Sequence, residues 1–264
     1  MVFEGDPVLR YVGYIGYFTV GVVIGILAAL FGLGGGFLIV PTLNFLGVEI
    51  HHAVGTSSAA VVFTSLSSAI AYARQGRVHY KAGLLLASTA VFGAYIGAWM
   101  TGYISAGELK VIFGAALIPV AIRTYRKKTV EPDEVRLGEM RVNYPLVPVG
   151  GFFAGIASGL LGVGGGIINV PFLTYLGLPI HYAVATSSFA IVFTASAGAL
   201  KHYAMGNVET VWLALLVPGL ITGAQLGAGM AKRMKASSLR KAFAVVMALL
   251  ALRMILKGLG LPVP

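Results

Sequence analysis

Long apolar runs alternate with short polar joints along most of this chain. The stretches at 82–100, 109–122 and 208–230 are nearly continuous in apolar and small residues, and about 20 such residues suffice to cross a hydrocarbon core. The pattern predicts helices at about 14–31, 53–73, 82–102 and 107–124, and again at about 145–161, 183–203, 208–230 and 238–257. After the first helix of each set comes a short apolar segment, at 37–47 and at 167–177. Eleven residues make about 16 Å of helix, roughly half of the hydrocarbon thickness. Glycines break the chain on both sides of each short segment. A broken element of this kind leaves backbone groups unpaired, so it must be enclosed by protein or line a polar cavity.

The two sets are copies of one another at an offset of 130 residues. Gly34-Gly35-Gly36 returns as Gly164-Gly165-Gly166, Pro41 as Pro171, Gly47 as Gly177 and His51 as His181. Thr56-Ser57-Ser58 returns as Thr186-Ser187-Ser188. Between 32–76 and 162–206 the register holds without a gap, with 22 identities in 45 positions. A duplication inside strongly apolar sequence points to the two halves of a membrane transporter.

Composition agrees. With 58% hydrophobic and only 11% charged residues, too little polar sequence remains to cover a water-facing surface, for which about 25% charge is usual. The expected fold is all-α, a polytopic membrane protein of two five-segment halves. The first half is 1–124, a cytoplasmic linker covers 125–144 and the second half is 145–264. The net charge of +10 gathers in loops and at helix ends rather than as a nucleic-acid footprint, so membrane lipid is the expected partner and nucleic acid is not. Loop 74–81 has three basic residues and no acid, whereas 102–110 is neutral. In the second half, 204–210 has only Glu209, and 231–241 has five basic residues. If basic loops face the cytoplasm, equivalent loops face opposite sides, so the repeat is inverted with both termini outside. No basic start with a small-residue cleavage site begins the chain, so a removable signal peptide is not expected. The absence of cysteine excludes disulfides and thiol chemistry.

Candidate chemistry gathers at the repeated motif. Glycines Gly34, Gly35, Gly36 and Gly164, Gly165, Gly166 let the backbone turn with positive φ and approach a ligand. The short helices begin just after them, directing unpaired N–H groups at the same spot. Thr56, Ser57, Ser58 and Thr186, Ser187, Ser188 add hydroxyls. Helix starts with hydroxyl donors form an anion site without formal charge. Tight packing is the competing reading of the glycines, and back-bonding within the helix that of the hydroxyls. His51 and His181 stand at helix entrances, either as caps or as proton-handling groups. Asn169 replaces Ile39 of the first copy and Gln225 replaces Tyr95, so each amide needs a helix partner or a substrate. No metal or cofactor is expected. No Lys-Ser/Thr follows either glycine run, against a phosphate loop, and no carboxylate pair lies in an apolar segment, against an enzyme.

The segments 31–41 and 162–171, with His51-Ala53-Val54-Gly55-Thr56-Ser57-Ser58 and His181-Ala183-Val184-Ala185-Thr186-Ser187-Ser188, resemble the TauE/SafE sulfite exporter family, as do His202, Gly206 and Gly223. The resemblance covers essentially the whole chain. It implies an inner-membrane permease with duplicated halves, moving sulfite, thiosulfate or small organosulfonates, often outward and coupled to an ion gradient. The family's paired signatures land on Gly34–Gly36, Pro41 and Thr56–Ser58, and on Gly164–Gly166, Pro171 and Thr186–Ser188. The leading expectation is a secondary transporter, an exporter of a small sulfur-containing anion working by alternating access in the cell membrane of a prokaryote. A proton or sodium ion is the candidate coupling ion. An uncoupled anion channel and a non-transporting structural subunit are the alternatives. The sequence leaves the oligomeric state open.

Overall fold

Ten α-helices and no strand are found among the described residues, 7–126, 142–231 and 237–261, of this computed structural model. In the first half they are α1 (Pro7–Phe31), α2 (Gly36–Phe45), α3 (Ile50–Arg74), α4 (Tyr80–Met100) and α5 (Ala106–Arg126). The second half has α6 (Val147–Leu161), α7 (Gly166–Tyr175), α8 (Ile180–Ala204), α9 (Thr210–Met230) and α10 (Ser237–Gly258). The hydropathy pattern located every one of them. Residues 127–141, most of the expected linker, lie outside the described residues, as do Lys232, Arg233 and Lys235 of the second basic loop.

Local chemistry fixes several boundaries. The carboxylate of Glu49 caps α3, accepting from the amides of His51 at 2.8 Å and His52 at 3.4 Å. The helix therefore starts at Ile50, one turn earlier than the apolar pattern alone suggests. Ser105 and Glu108 form a capping box at α5: Ser105 N–H donates to the Glu108 carboxylate, and Glu108 N–H donates to Ser105 Oγ. The chain leaves α1 through Gly32, Gly34 and Gly35 at φ 66, 78 and 95, and leaves α6 through Gly162, Gly164 and Gly165 at φ 67, 80 and 81. Three left-handed residues in four are accessible to glycine at no steric cost, which is why both short helices start where they do.

Among the described residues, six helical stretches are long and apolar enough to cross a membrane: Gly13–Phe31, Ile50–Arg74, Tyr80–Tyr103, Tyr144–Leu161, Ile180–Ala204 and Thr210–Met230. Outward-facing apolar side chains such as Phe92 and Leu200, both 68% exposed, are costly in water and free in lipid. The protein is a multi-pass membrane protein.

Glycine governs the packing. α1 runs parallel to α9, because β-carbons placed at Gly219, Gly223 and Gly227 would run into the carbonyls of Phe18, Val22 and Ile26 in that order. α4 and α6 repeat this at the offset of 130, with Gly93 and Gly97 against the carbonyls of Phe152 and Ile156. Backbones this close exploit dispersion and short interhelical contacts, the main attractive terms left inside a membrane. Equivalent helices pair differently. A β-carbon on Gly107 would meet Gly258 and one on Gly114 would meet Ala251 and Ile255, so α5 and α10 are antiparallel. On α3 and α8, Ser58 lies by Gly198 while Val61 and Ile191 share the same glycine contacts, again an antiparallel pair.

Candidate functional site

The two repeated motifs meet at the centre of the bundle. A β-carbon at Gly36 would overlap the Gly162 carbonyl, and one at Gly166 would overlap that of Gly32. Gly34 and Gly164 both face Val61 and Ile191, equivalent residues on α3 and α8. Gly34, Gly36, Gly164 and Gly166 therefore converge on one place, while Gly35 faces Ala28 and Ile24 of α1 and Gly165 faces Ala154 of α6. The first hydrogen bonds of the short helices are donated by Leu38 and Ile39 to Gly35 O, and by Ile168 and Asn169 to Gly165 O. The amides ahead of these are helix-start donors that their own helix cannot satisfy.

The hydroxyl triplets divide by position. Ser57 Oγ donates to Gly162 O at 2.8 Å and Ser187 Oγ donates to Gly32 O at 2.9 Å, so each reaches the glycine break of the other half. Thr56 Oγ1 accepts from Glu209 N–H at 2.8 Å and Thr186 Oγ1 accepts from His79 N–H at 2.9 Å. The threonines thereby pin the α8–α9 and α3–α4 loops at opposite ends of the bundle. Ser188 back-bonds to Val184 O, whereas the equivalent Ser58 is buried with its hydroxyl unpartnered. Thr56, Ser57, Thr186 and Ser187 join the halves, a use distinct from both ligand binding and back-bonding, while Ser188 back-bonds within its helix.

Removing Ser57 Oγ and Ser187 Oγ leaves two buried carbonyls short of a donor, at roughly 1–3 kcal/mol each. The expected outcome is that Ser57→Ala and Ser187→Ala each lower the thermal unfolding midpoint, with the pair non-additive in a double-mutant cycle. Strict additivity would mean that the two bonds do not act on one interface.

Asn169 is where the twofold match fails. It is 1% exposed, and neither its Oδ1 nor its Nδ2 has a hydrogen-bond partner. Its Nδ2 lies 3.5 Å from the position a β-carbon would take on Gly165, whereas the equivalent space beside Gly35 holds the Ile39 side chain. An unpaired amide in such surroundings costs several kcal/mol. Next to α7's first turn lies a cavity of about 530 Å³ with almost wholly apolar walls, including Ala116 and Pro119 of α5, Leu161 of α6, Gly165 ahead of α7, and Ile168 and Phe172 of α7. In the first half the matching side chains Phe37 and Leu38 are buried, while Ile167 and Ile168 remain half-buried.

The other candidates sit away from the motif. Gln225 Nε2 donates to Ser67 O at 2.7 Å and approaches Ser67 Oγ at 3.1 Å, clamping α9 to α3. His51 is at the rim, with Nδ1 2.9 Å from Glu49 and Nε2 3.0 Å from Ile104 O. Partial burial raises the Glu49 pKa, but the His51 ring and the amides of His51 and His52 outweigh this and hold it below the usual value. His52 Nδ1 comes within 3.1 Å of Glu209, off the hydrogen-bond direction. His181 occupies the matching first turn of α8. No group of three or more metal-ligating side chains occurs among the described residues.

Known proteins resemble this chain over most of its length. The family model of the sulfite exporter TauE/SafE matches residues 17–254. The chain belongs to the TauE/SafE family of membrane transporters. It is 31% identical to the probable membrane transporter protein YunE of Bacillus subtilis over 91% of this chain and 97% of that one. A probable membrane transporter protein of Methanocaldococcus jannaschii is 36% identical over 72% of each chain. One from Haemophilus influenzae is 29% identical over 90% and 96%. No solved structure matches.

Proposed function

We propose that this protein is a secondary transporter, an exporter of a small sulfur-containing anion such as sulfite, thiosulfate or an organosulfonate. The anion binds where the starts of α2 and α7 converge. Asn169 carries this reading: an amide buried without a partner, beside a helix start whose N–H groups point the same way, is a ready donor for a sulfur oxyanion. The glycine backbones of Gly34–Gly36 and Gly164–Gly166 supply further donors. Ser57 and Ser187 close the site from opposite halves, and their hydroxyls turn to the anion when those halves separate. The name of the matching family, sulfite exporter, supports the substrate class.

The halves, 1–124 and 145–264, act as an inverted repeat joined by 125–144. Antiparallel packing of α3 on α8 and of α5 on α10 supports this, since equivalent helices related by an axis in the membrane plane must oppose one another. The unequal surroundings of α2 and α7 support alternating access. α2 is closed over, while α7 borders the 530 Å³ cavity. With basic loops inside, that cavity lies on the cytoplasmic half, so the conformation is the inward-facing one.

The test is anion binding and flux in purified, reconstituted protein. Asn169→Leu is expected to weaken sulfite or thiosulfate binding at least about tenfold, or 1.4 kcal/mol, while the unfolding midpoint holds or rises, because a costly unpaired amide is gone. Unchanged anion affinity in that variant would remove Asn169 from the site.

A further inference from the structure

The offset of 130 residues pairs Tyr72 on α3 with His202 on α8, and the two do the same job. Tyr72 Oη donates to Ala29 O at 2.7 Å, near the end of α1. His202 Nε2 lies 2.8 Å from Gly159 O, near the end of α6, and 29 and 159 are themselves equivalent positions. Each bond holds a long helix to the end of the helix that leads into a glycine break. Of the two side chain types, imidazole and not phenol is the one whose ordinary protonation range lies near neutral pH.

The histidine's tautomer is fixed by its partner. A carbonyl only accepts, so Nε2 carries the hydrogen and Nδ1 is bare. That Nδ1 is buried without a partner, and the residue is 0% exposed. A proton arriving there becomes a donor with nothing to receive it in this packing. One turn earlier on the same face of α8 is Gly198, where a β-carbon would sit 3.6 Å from Gly159 Cα and 3.9 Å from Ser58 Oγ. Ser58 Oγ is itself buried and unpartnered, so an acceptor waits on the wall of α3 for any shift of α8 along it.

From this geometry we infer that His202 is the coupling proton's binding site, and that protonation at Nδ1 releases the end of α6 from α8 so that the central site can change sides. The inference rests on the transporter reading above and replaces His51 and His181 as coupling residues. The titratable groups that bear on His202 are few. His51, at the start of α3, is close enough to act on it electrostatically, with Glu49 bound to His51 and Glu209 beside His52. On α4, Tyr95 lies under the Lys201 ammonium at 5.3 Å. The α6 stretch 147–161 has no titratable side chain. Because half one presents tyrosine, one proton per cycle is expected, not two.

His202→Tyr copies the arrangement of the first half, and His202→Gln keeps an N–H donor that cannot titrate. In proteoliposomes with an imposed pH gradient, wild type is expected to accumulate thiosulfate or sulfite beyond equilibrium. Both variants keep the end of α6 pegged, so they should bind the anion within about threefold of wild type but lose the gradient-driven accumulation and at least about tenfold of the downhill flux. Accumulation that survives in His202→Gln, or a wild type whose flux ignores the pH gradient, overturns the inference.

If wild type moves no sulfur anion at all, the proposed function fails while the proton site is still tested separately. The chain has no cysteine, so Ala157→Cys introduces a single thiol in the cavity wall, in the same turn of α6 as Gly159. Its labelling rate should change at least about threefold between pH 5.5 and 8, and His202→Gln should abolish that change. A rate that never varies, or that varies equally in the double variant, rejects His202 as the switch.

Discussion

Alanine at Gly36 or Gly166 is expected to lower the unfolding midpoint in detergent or nanodiscs by about 2–12 °C, though local propensity argues the other way. Neither glycine has a positive φ, and in a helix alanine is favoured over glycine by about 1 kcal/mol. The obstacle is the other half of the molecule. At Gly36 the added carbon overlaps Gly162 O and would lie 2.6 Å from Val163 Cα. At Gly166 it overlaps Gly32 O and would lie 2.5 Å from Leu33 Cα. These are backbone atoms held in left-handed turns, so no rotamer change relieves the contact. Overpacking of this sort costs about 1–3 kcal/mol, and each kcal/mol is worth about 2–4 °C in a chain of this size. Gly229→Ala is the control, since nothing lies within 4 Å of its added carbon. It should leave the midpoint unchanged or slightly raised. An unchanged midpoint in Gly36→Ala would mean that the halves do not meet as tightly as this packing has them.

The fold was legible because membrane solvation writes itself into the chain. Apolar runs of spanning length marked the long helices, and paired glycines marked the ends of the short ones. Helix starts were harder, because a single capping side chain such as Glu49 moves a boundary by a turn without altering hydropathy.

Site chemistry was less legible, for a physical reason. A buried hydroxyl is compatible with a ligand, its own helix or a facing carbonyl, and only coordinates distinguish the three. Ser57 and Ser187 turned out to reach across the interface, Ser188 its own helix, and Ser58 nothing. Gln225 resembled Asn169 in sequence, yet its neighbour Ser67 binds its amide nitrogen while Asn169 has no such neighbour. The Tyr72 and His202 pegs had a sequence signal in their equivalence under the offset. The two residues differ in type, so identity between the repeats does not mark them.

Valine at Gly35 or Gly165 is expected to abolish anion transport, with an initial rate at least about tenfold down at equal amounts of folded protein. Gly35 and Gly165 stand at φ 95 and 81 as the caps of α2 and α7. An L-residue there costs about 1–2 kcal/mol, and a β-branched one is a genuine outlier. The backbone would relax toward negative φ and swing the first amides of the short helix away from the centre. Contacts separate the two sites. A β-carbon on Gly35 meets only side chains, the nearest being Ala28 Cβ at 3.1 Å, whereas one on Gly165 lies 3.0 Å from Ala154 O and 3.5 Å from Asn169 Nδ2. Alanine, the milder substitution, should therefore distinguish them: Gly165→Ala is expected to weaken anion binding more than Gly35→Ala, because only the former disturbs the unpaired amide. Equal losses would assign the effect to backbone strain alone, and near-normal flux in Gly165→Val would remove the α7 start from the anion's path.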